Sequence, residues 1–342
     1  FTPSRMPGGE FEYSDTNFNL LGLIVEAASG ETYAGYVENH IFAPLGMIHS
    51  HTSPAEARTD DLAVGSTFIF GFPRAVPDLP RPSGSLPSGQ IISSAGDMAR
   101  YMTAMLRGGT YNGVSVLSPA GVEELHRPAA AAGSMGVDMG TYAMGWFVEE
   151  ADGGRRIWHD GMVPDFFSYM VLLPEQDRAM ILLVNGNHMI VNFSLLDVCE
   201  ALTDMLTGQP VETEASAGIY WILRCFLLVP VLQALGIFLT IRMAGRWKRN
   251  RARRPKTAVV WGVHILLASI PHLVLAGSVI TLMAMGMVRF MLLFMPDMTV
   301  LILGCGGISC LWLVLRPWVI LGSLRFPRRR AGRNPVPAIT AY

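Results

Sequence analysis

Two short polar clusters carry residue types suited to acyl transfer. Tyr13-Ser14-Asp15 stands just ahead of an apolar periodic run, Phe18, Leu20, Leu21, Leu23, Ile24 and Val25, that stops at Gly30 and predicts a helix. Backbone N–H groups and the helix dipole favour negative charge at such an N-terminus, so a tyrosine there is suited to form a phenolate and act as a general base. His159-Asp160-Gly161 lies between two extended runs, 155–158 and 166–173. Glycine at that place lets a substrate backbone approach a strand edge, and the next N–H, on Met162, is free to point at a developing oxyanion. Each cluster alone also has a plain explanation, a tyrosine packed below a helix start or a tight turn. What both lack is a nucleophile with its base. The only lysines are Lys248 and Lys256, neither three residues after a serine, so the 342 residues contain no Ser-x-x-Lys.

The elements that must position these clusters read as mixed α and β. Ser94-x-x-Asp97 is a capping-box-like start for a helix that ends at Gly108-Gly109, and Ser118-Pro119 opens another that ends near His126. From residue 142 the pattern turns to strands over 142–149, 155–159, 166–173 and 179–184, followed by an amphipathic helix over about 193–206. Residues 72–90, rich in Pro, Gly and Ser, predict a long irregular loop bordering a site. Ala132-Gly133-Ser134-Met135-Gly136 is a near miss to Gly-x-Ser-x-Gly, but with no strand predicted before it the nucleophile-elbow context fails. His40, His49, His51, His126 and His188 share no spacing with carboxylates that suggests a metal site, and no cofactor motif is present.

The order of the motifs resembles the serine β-lactamase-like hydrolases: class C β-lactamases, D-alanyl-D-alanine carboxypeptidases and related esterases. Phe11-Glu12-Tyr13-Ser14-Asp15 with Leu21-Gly22-Leu23 is similar to the family's Tyr-x-Asn region, and Pro44-Leu45-Gly46-Met47 to its sequel. Gly89-Gln90-Ile91-Ile92-Ser93-Ser94-Ala95-Gly96-Asp97-Met98 resembles a Gly-Gly-Leu-x-Ser-(Ser/Thr)-x-x-Asp-Met segment, and His159-Asp160-Gly161 a Lys/His-Thr-Gly position. The resemblance covers roughly residues 5–207. It implies an α+β, β-lactamase/transpeptidase-like domain in which an antiparallel sheet packs with helices. It implies too a nucleophilic serine in Ser-x-x-Lys that forms an acyl-enzyme. By position, Tyr13 relays the proton, His159 orients the substrate's polar end, Gly161 borders the substrate, and the Met162 N–H completes an oxyanion hole. Asp15 stands where most relatives place Asn; a carboxylate accepts hydrogen bonds but cannot donate one. The substrate implied is a peptide, amide or ester, either D-alanyl material, a β-lactam or a small ester. Because the chain opens on Phe1 and not Met, the expectation is that the segment bearing Ser-x-x-Lys was cut away, leaving this chain inactive by itself.

Charge divides the chain. Residues 1–216 carry 10 Arg, no Lys and 26 Asp/Glu, whereas residues 217–342 carry 16 Lys/Arg and one acid, Asp297. An acidic first half excludes nucleic acid as its partner. In the second half, apolar runs at about 218–241, 257–283 and 298–321 are long enough to cross a bilayer. Basic clusters fill 242–256 and 325–330, and the positive-inside rule puts both in the cytoplasm. The expected organisation is a hydrolase domain over 1–210, a linker over 211–217, a membrane domain over 218–324 and a basic cytoplasmic tail over 325–342. The chain is thus expected to be a multi-pass protein of the cell membrane, its first domain outside the cytoplasm and the lipid bilayer and a small-molecule or peptide substrate its partners. Four cysteines, at 199, 225, 305 and 310, do not settle the compartment. The rival reading is a catalytically dead binding or sensing module that signals through the spans. A transporter, with His264, Pro271 and His272 marking a path, is the third and weakest; helix packing and a kink explain those residues as well.

Overall fold

The computed structural model describes residues 11–76, 79, 83–134, 137–151, 153–211 and 217–324. They form two units, the first reaching to 223 and including 293–295, the second covering 224–292 and continuing from 296.

The first unit is organised by one six-stranded sheet: β1 (Ala130–Ser134), β2 (Val137–Tyr142), β3 (Phe147–Ala151), β4 (Gly154–Val163), β5 (Phe166–Leu173) and β6 (Arg178–Val184). The strands follow one another in sequence order, and every neighbouring pair is antiparallel. Alternation along each strand divides the side chains between two cores. On one face Val148, Ile157 and Leu172 pack against Met102 and Met105 of helix α2 (Ala95–Leu106) and against Val37, Phe42 and Leu45. On the other, Phe147, Trp158, Phe167, Tyr169 and Val171 pack against Cys199, Leu195 and Leu196 of helix α3 (Val191–Thr207). Helix α1 (Asp15–Ser29) precedes them all in sequence and ends on Gly30 in the left-handed conformation.

Three expectations need correction. The extended run over 142–149 is broken by a turn at Ala143–Trp146, where Gly145 takes φ 83°. Ala130–Ser134 is a strand; its small residues give a weak β signal, and it holds as the sheet's last strand because Ala132 is buried. Ala132–Ser134 of the near-miss serine motif therefore lie within a strand, and the next described element is another strand, not a helix. The stretch 72–90 is only partly irregular: Phe72–Ala75 pairs with Ser66–Ile69 as a hairpin, and Leu86–Gly89 is a helical turn.

His126 shows what burial does to a titrating group. It caps the helix Pro119–Leu125, stands edge-on to Trp146 at 5.4 Å, and its Nε2 has no hydrogen-bond partner among the described residues. Burial first, and the Arg155 charge second, lower its pKa from 6.5 to about 4. Folding therefore favours the neutral ring: its contribution is complete above the unfolded value and is lost as pH falls from 6.5 towards 4. Replacing His126 with Gln is expected to flatten the acid limb of a Tm-against-pH curve by up to about 3 kcal/mol over that window. An unchanged limb in thermal melts of the variant would refute this.

The second unit contains helices α4 (Leu228–Arg249), α5 (Ile270–Ala284) and α6 (Pro296–Leu324), with α6 packed against both others. Helices long and apolar enough to cross a membrane run over Gly218–Arg249, Leu267–Ala284 and Pro296–Ser323. Gly306 makes the α5–α6 crossing close, since a Cβ there would lie 2.6 Å from Leu275 O. The Gln233 amide donates to Cys305 O at 2.7 Å and to Ser309 Oγ at 2.8 Å, and His272 Nδ1 lies 3.1 Å from Ser309 Oγ. His272 is thus engaged in interhelical packing. Pro271 sits in the first turn of α5, just after the apolar run passes from the helix Ala258–Ile265 through the 3-10 turn Leu267–Ser269.

Candidate active site

Tyr13 is placed by its neighbours. Phe11 packs on Tyr142 at 4.8 Å and on Phe147 at 6.4 Å, and Phe18 joins the same core, fixing the entry to α1 against the sheet. Gly22 lets α1 lie tightly on Pro87, whose Cγ would be 2.3 Å from a Cβ at that position. The result brings the Tyr13 ring to 6.0 Å from His159 and 6.2 Å from Tyr142, while Tyr13 stays 47% exposed. Residues 146 positions apart in sequence thus face each other across one small space.

His-Asp-Gly is neither a turn nor a junction: it lies inside β4, one unbroken ten-residue strand. The β3–β4 ladder ends at the pair Phe147↔Trp158, and from His159 to Val163 the strand pairs with β5 alone. Among the described residues the other backbone edge of β4 has no strand partner over this stretch, the arrangement that accepts an added extended segment. Gly161 stands opposite Ser168, and a Cβ on it would lie 2.5 Å from Ser168 Oγ. Met162, 41% exposed, accepts at Sδ from Asn192 Nδ2 at 2.8 Å and stands opposite Phe167.

Two groups not singled out in the sequence belong to the same place. Tyr142, the last residue of β2, puts its hydroxyl 3.4 Å from His159 Nε2. His159 Nδ1 faces the Asp160 carbonyl, so Nδ1 donates and Nε2 is left to accept from the phenol. Asn187 and Asn192, both buried, close the end of β4: Asn187 Nδ2 donates to Val163 O at 2.5 Å, and Asn192 Nδ2 to Asn187 Oδ1 at 2.7 Å. The Asn185-Gly186-Asn187 run was a visible signal of a chain reversal, and a tyrosine ending a strand beside a glycine turn was a signal for Tyr142.

Electrostatics run against a phenolate in the described residues. Burial first, then the Asp15 charge and its hydrogen bond, push Tyr13 up to about 12, with a smaller push from Asp160. Burial, then Tyr13, Asp15 and Asp160, raise Tyr142 as well. The helix N-terminus favours negative charge at Tyr13, but these effects outweigh it. Both phenols are neutral donors at neutral pH. Asp160 alternates away from His159 to the face that carries Cys199, where burial raises its pKa against the opposing pull of His159.

The segments 44–47 and 89–98 have a structural task. Asp97, 1% exposed, accepts from His49 N at 2.7 Å, Ser50 Oγ at 2.9 Å and Arg100 Nη1 at 2.9 Å, and Arg100 Nη1 also reaches Gly46 O. Ser94 Oγ caps α2 by accepting from Asp97 N at 3.2 Å. His49 and His51 share Asp60, at 2.8 and 2.9 Å. Among the described residues no group of three or more His, Cys, Asp or Glu is placed to hold a metal ion.

The Beta-lactamase family pattern matches residues 2–198. "Protein flp" of Staphylococcus aureus is 26% identical over 186 residues, which is 53% of this chain and 34% of that protein. "Penicillin-binding protein 4" of Amycolatopsis lactamdurans is 31% identical over 233 residues, 63% of this chain and 60% of that one. The structure of an octameric penicillin-binding protein homologue from Pyrococcus abyssi superposes with a TM-score of 0.54 at 26% identity, covering 62% of this chain and 46% of that one. The chain spans from a third to three-fifths of the length of these relatives. The sheet, the helices on its two faces and the matched 197 residues assign this chain to the β-lactamase family.

Proposed function

We propose that this chain forms most of the substrate cleft of a membrane-held serine hydrolase that works through an acyl-enzyme on a peptide, amide or ester. The observation that carries the reading is the open edge of β4 at His159–Met162, faced at 6 Å by Tyr13. In this reading the attacking serine and its lysine lie outside residues 1–342. The serine oxygen bonds to the substrate carbonyl and loses its proton; Tyr13 passes a proton to the departing amine or alcohol; water then cleaves the acyl ester. A lysine ammonium beside Tyr13 would favour its phenolate and offset the Asp15 charge. His159 orients the polar end of the substrate, the Gly161 edge receives its backbone, and the Met162 N–H faces the oxyanion. Three apolar helices hold the unit at the membrane, and the basic stretches 242–256 and 325–330 favour an orientation with the hydrolase unit outside the cytoplasm.

The elevated Tyr13 pKa also favours a second reading, a binding or sensing module without turnover. One experiment separates them. In the whole protein as encoded, a fluorescent fluorophosphonate or penicillin is expected to label a serine outside residues 1–342, and the 342-residue chain alone is expected to hydrolyse neither nitrocefin nor a simple ester. No label on folded whole protein supports the sensor. Turnover by the chain alone would point to a different nucleophile.

A further inference from the structure

The end of β4 is held by two buried amides in series. Asn187 is fully buried, and Asn192, the second residue of α3, is 3% exposed. Asn187 Nδ2 donates to Val163 O at 2.5 Å, and Asn187 Oδ1 accepts from Asn192 Nδ2 at 2.7 Å. Asn192 Nδ2 also donates to Met162 Sδ at 2.8 Å. The direction of this chain is fixed at its far end. A backbone carbonyl only accepts, so Asn187 presents its amide hydrogens to Val163 and its oxygen to Asn192. Both asparagines are pinned through their own backbones, Asn187 N donating to Ser66 O and Asn192 N to His188 O, each at 3.0 Å.

Stability alone does not account for this arrangement. Val163 stands opposite Phe166 across a two-residue turn, where a hairpin exchanges backbone hydrogen bonds, so its carbonyl already has a partner. The Asn187 bond is a second one on the same oxygen. Asn192 Oδ1 is buried with no hydrogen-bond partner among the described residues, a cost that an apolar side chain of the same shape would avoid. What the pair does hold is a bond direction. Backbone bonding alternates along an antiparallel strand. With Val163 and Gly161 bonded to β5, the Met162 N–H points to the other edge, which has no strand partner among the described residues from His159 onward. There one ladder alone orients the peptide. The asparagines grip the strand at 162 by its side chain and at 163 by its carbonyl, on either side of what that ladder leaves loose.

We propose, on the reading of this edge as the substrate site, that Asn192 is a positioning residue for acyl transfer: through Met162 Sδ and Asn187 it fixes the direction of the Met162 N–H toward the developing oxyanion. The probe is the fluorescent fluorophosphonate on the whole protein as encoded, with the rate of serine labelling followed against probe concentration. Asn192→Leu keeps the shape and removes both side-chain bonds. It is expected to lower the maximal labelling rate about 30-fold, with the half-saturating concentration almost unchanged. That is less than the roughly 100- to 1,000-fold lost when an oxyanion donor is removed outright. Its thermal midpoint is expected to stay close to the parent's, because the unpartnered Oδ1 goes with the bonds. Asn192→Ser, too short to reach Asn187, is the second variant and is expected to show the same split. Thr203→Val removes a buried hydroxyl elsewhere on α3, one that donates to Cys199 O at 2.8 Å. It is expected to lower the thermal midpoint and leave both labelling parameters unchanged. An unchanged maximal rate in Asn192→Leu or Asn192→Ser, a loss confined to the half-saturating concentration, or an equal rate loss in Thr203→Val would each overturn this inference and leave the hydrolase reading standing. No labelling of the folded, unsubstituted protein would overturn that reading and this inference with it.

Discussion

Replacing Asp97 with alanine is expected to lower the thermal midpoint of the first unit by roughly 10 °C, reflecting a loss of about 3–5 kcal/mol. The carboxylate is buried and takes hydrogen bonds from His49 N, Ser50 Oγ and Arg100. Alanine fills none of these roles: the partly buried His49 N–H loses its acceptor, and buried Ser50 is left with Ser93 Oγ, at 2.8 Å, alone. The Arg100 share is small, because that side chain is 37% exposed and water replaces its partner. Asp97→Asn keeps the shape but not the charge and is expected to fall between the two. Circular-dichroism melts of the three chains are the measurement. A shift below 2 °C for alanine would mean that the turn at 46–50 holds to α2 by other means.

The second large effect is on activity. Gly161→Ala brings a methyl to 2.5 Å from Ser168 Oγ, far inside contact distance, and is expected to cost about 1–3 kcal/mol of stability. The clash is with one hydroxyl, since Ser168 Cβ lies 3.9 Å away. Gly161→Ala with Ser168→Ala is therefore expected to recover most of the stability. In the whole protein, kcat/KM is expected to fall by about 100-fold or more in Gly161→Ala and to stay low in the double variant. The methyl would rise from the sheet face beside the edge where a substrate backbone lies, and removing Ser168 Oγ does not take it away. Should activity return along with stability, the glycine serves only the β4–β5 pairing, and the reading of this edge as the substrate site falls.

How far sequence reasoning reached is visible in these same residues. Periodicity located α1, α2 and α3 to within two residues, helped at α2 by the N-cap Ser94, because an apolar stripe facing a core and a capping serine are local properties. β5 and β6 were equally plain as runs of branched and aromatic residues. β1 was not, since Ala, Gly and Ser have little strand preference and that strand exists only because β2 and a buried Ala132 hold it. His159-Asp160-Gly161 looked like an interruption for a related reason: a polar triplet inside a strand violates the alternation that marks strands, and it is tolerated where the pairing on one side stops. Tyr13 and His159 were found by type and order, and their approach to 6 Å depends on Phe11, Phe18 and Gly22, which no local pattern reveals. Tyr142 was missed because its neighbour in space, His159, is reached only through the register of three strands. The weight of Asp97 was hidden as well, since its partners at 49 and 50 lie on a turn with no motif linking it to α2.

The sequence order of the sheet bears on how the molecule is made. Each strand from β1 to β6 pairs with the one emerging next from the ribosome, across connections of a few residues. Every closure is short, so the entropy lost in each step is small, and no strand waits for a distant partner. The wall that carries His159 and Gly161 can therefore assemble strand by strand during synthesis, before the apolar helices that follow it in the chain have been made.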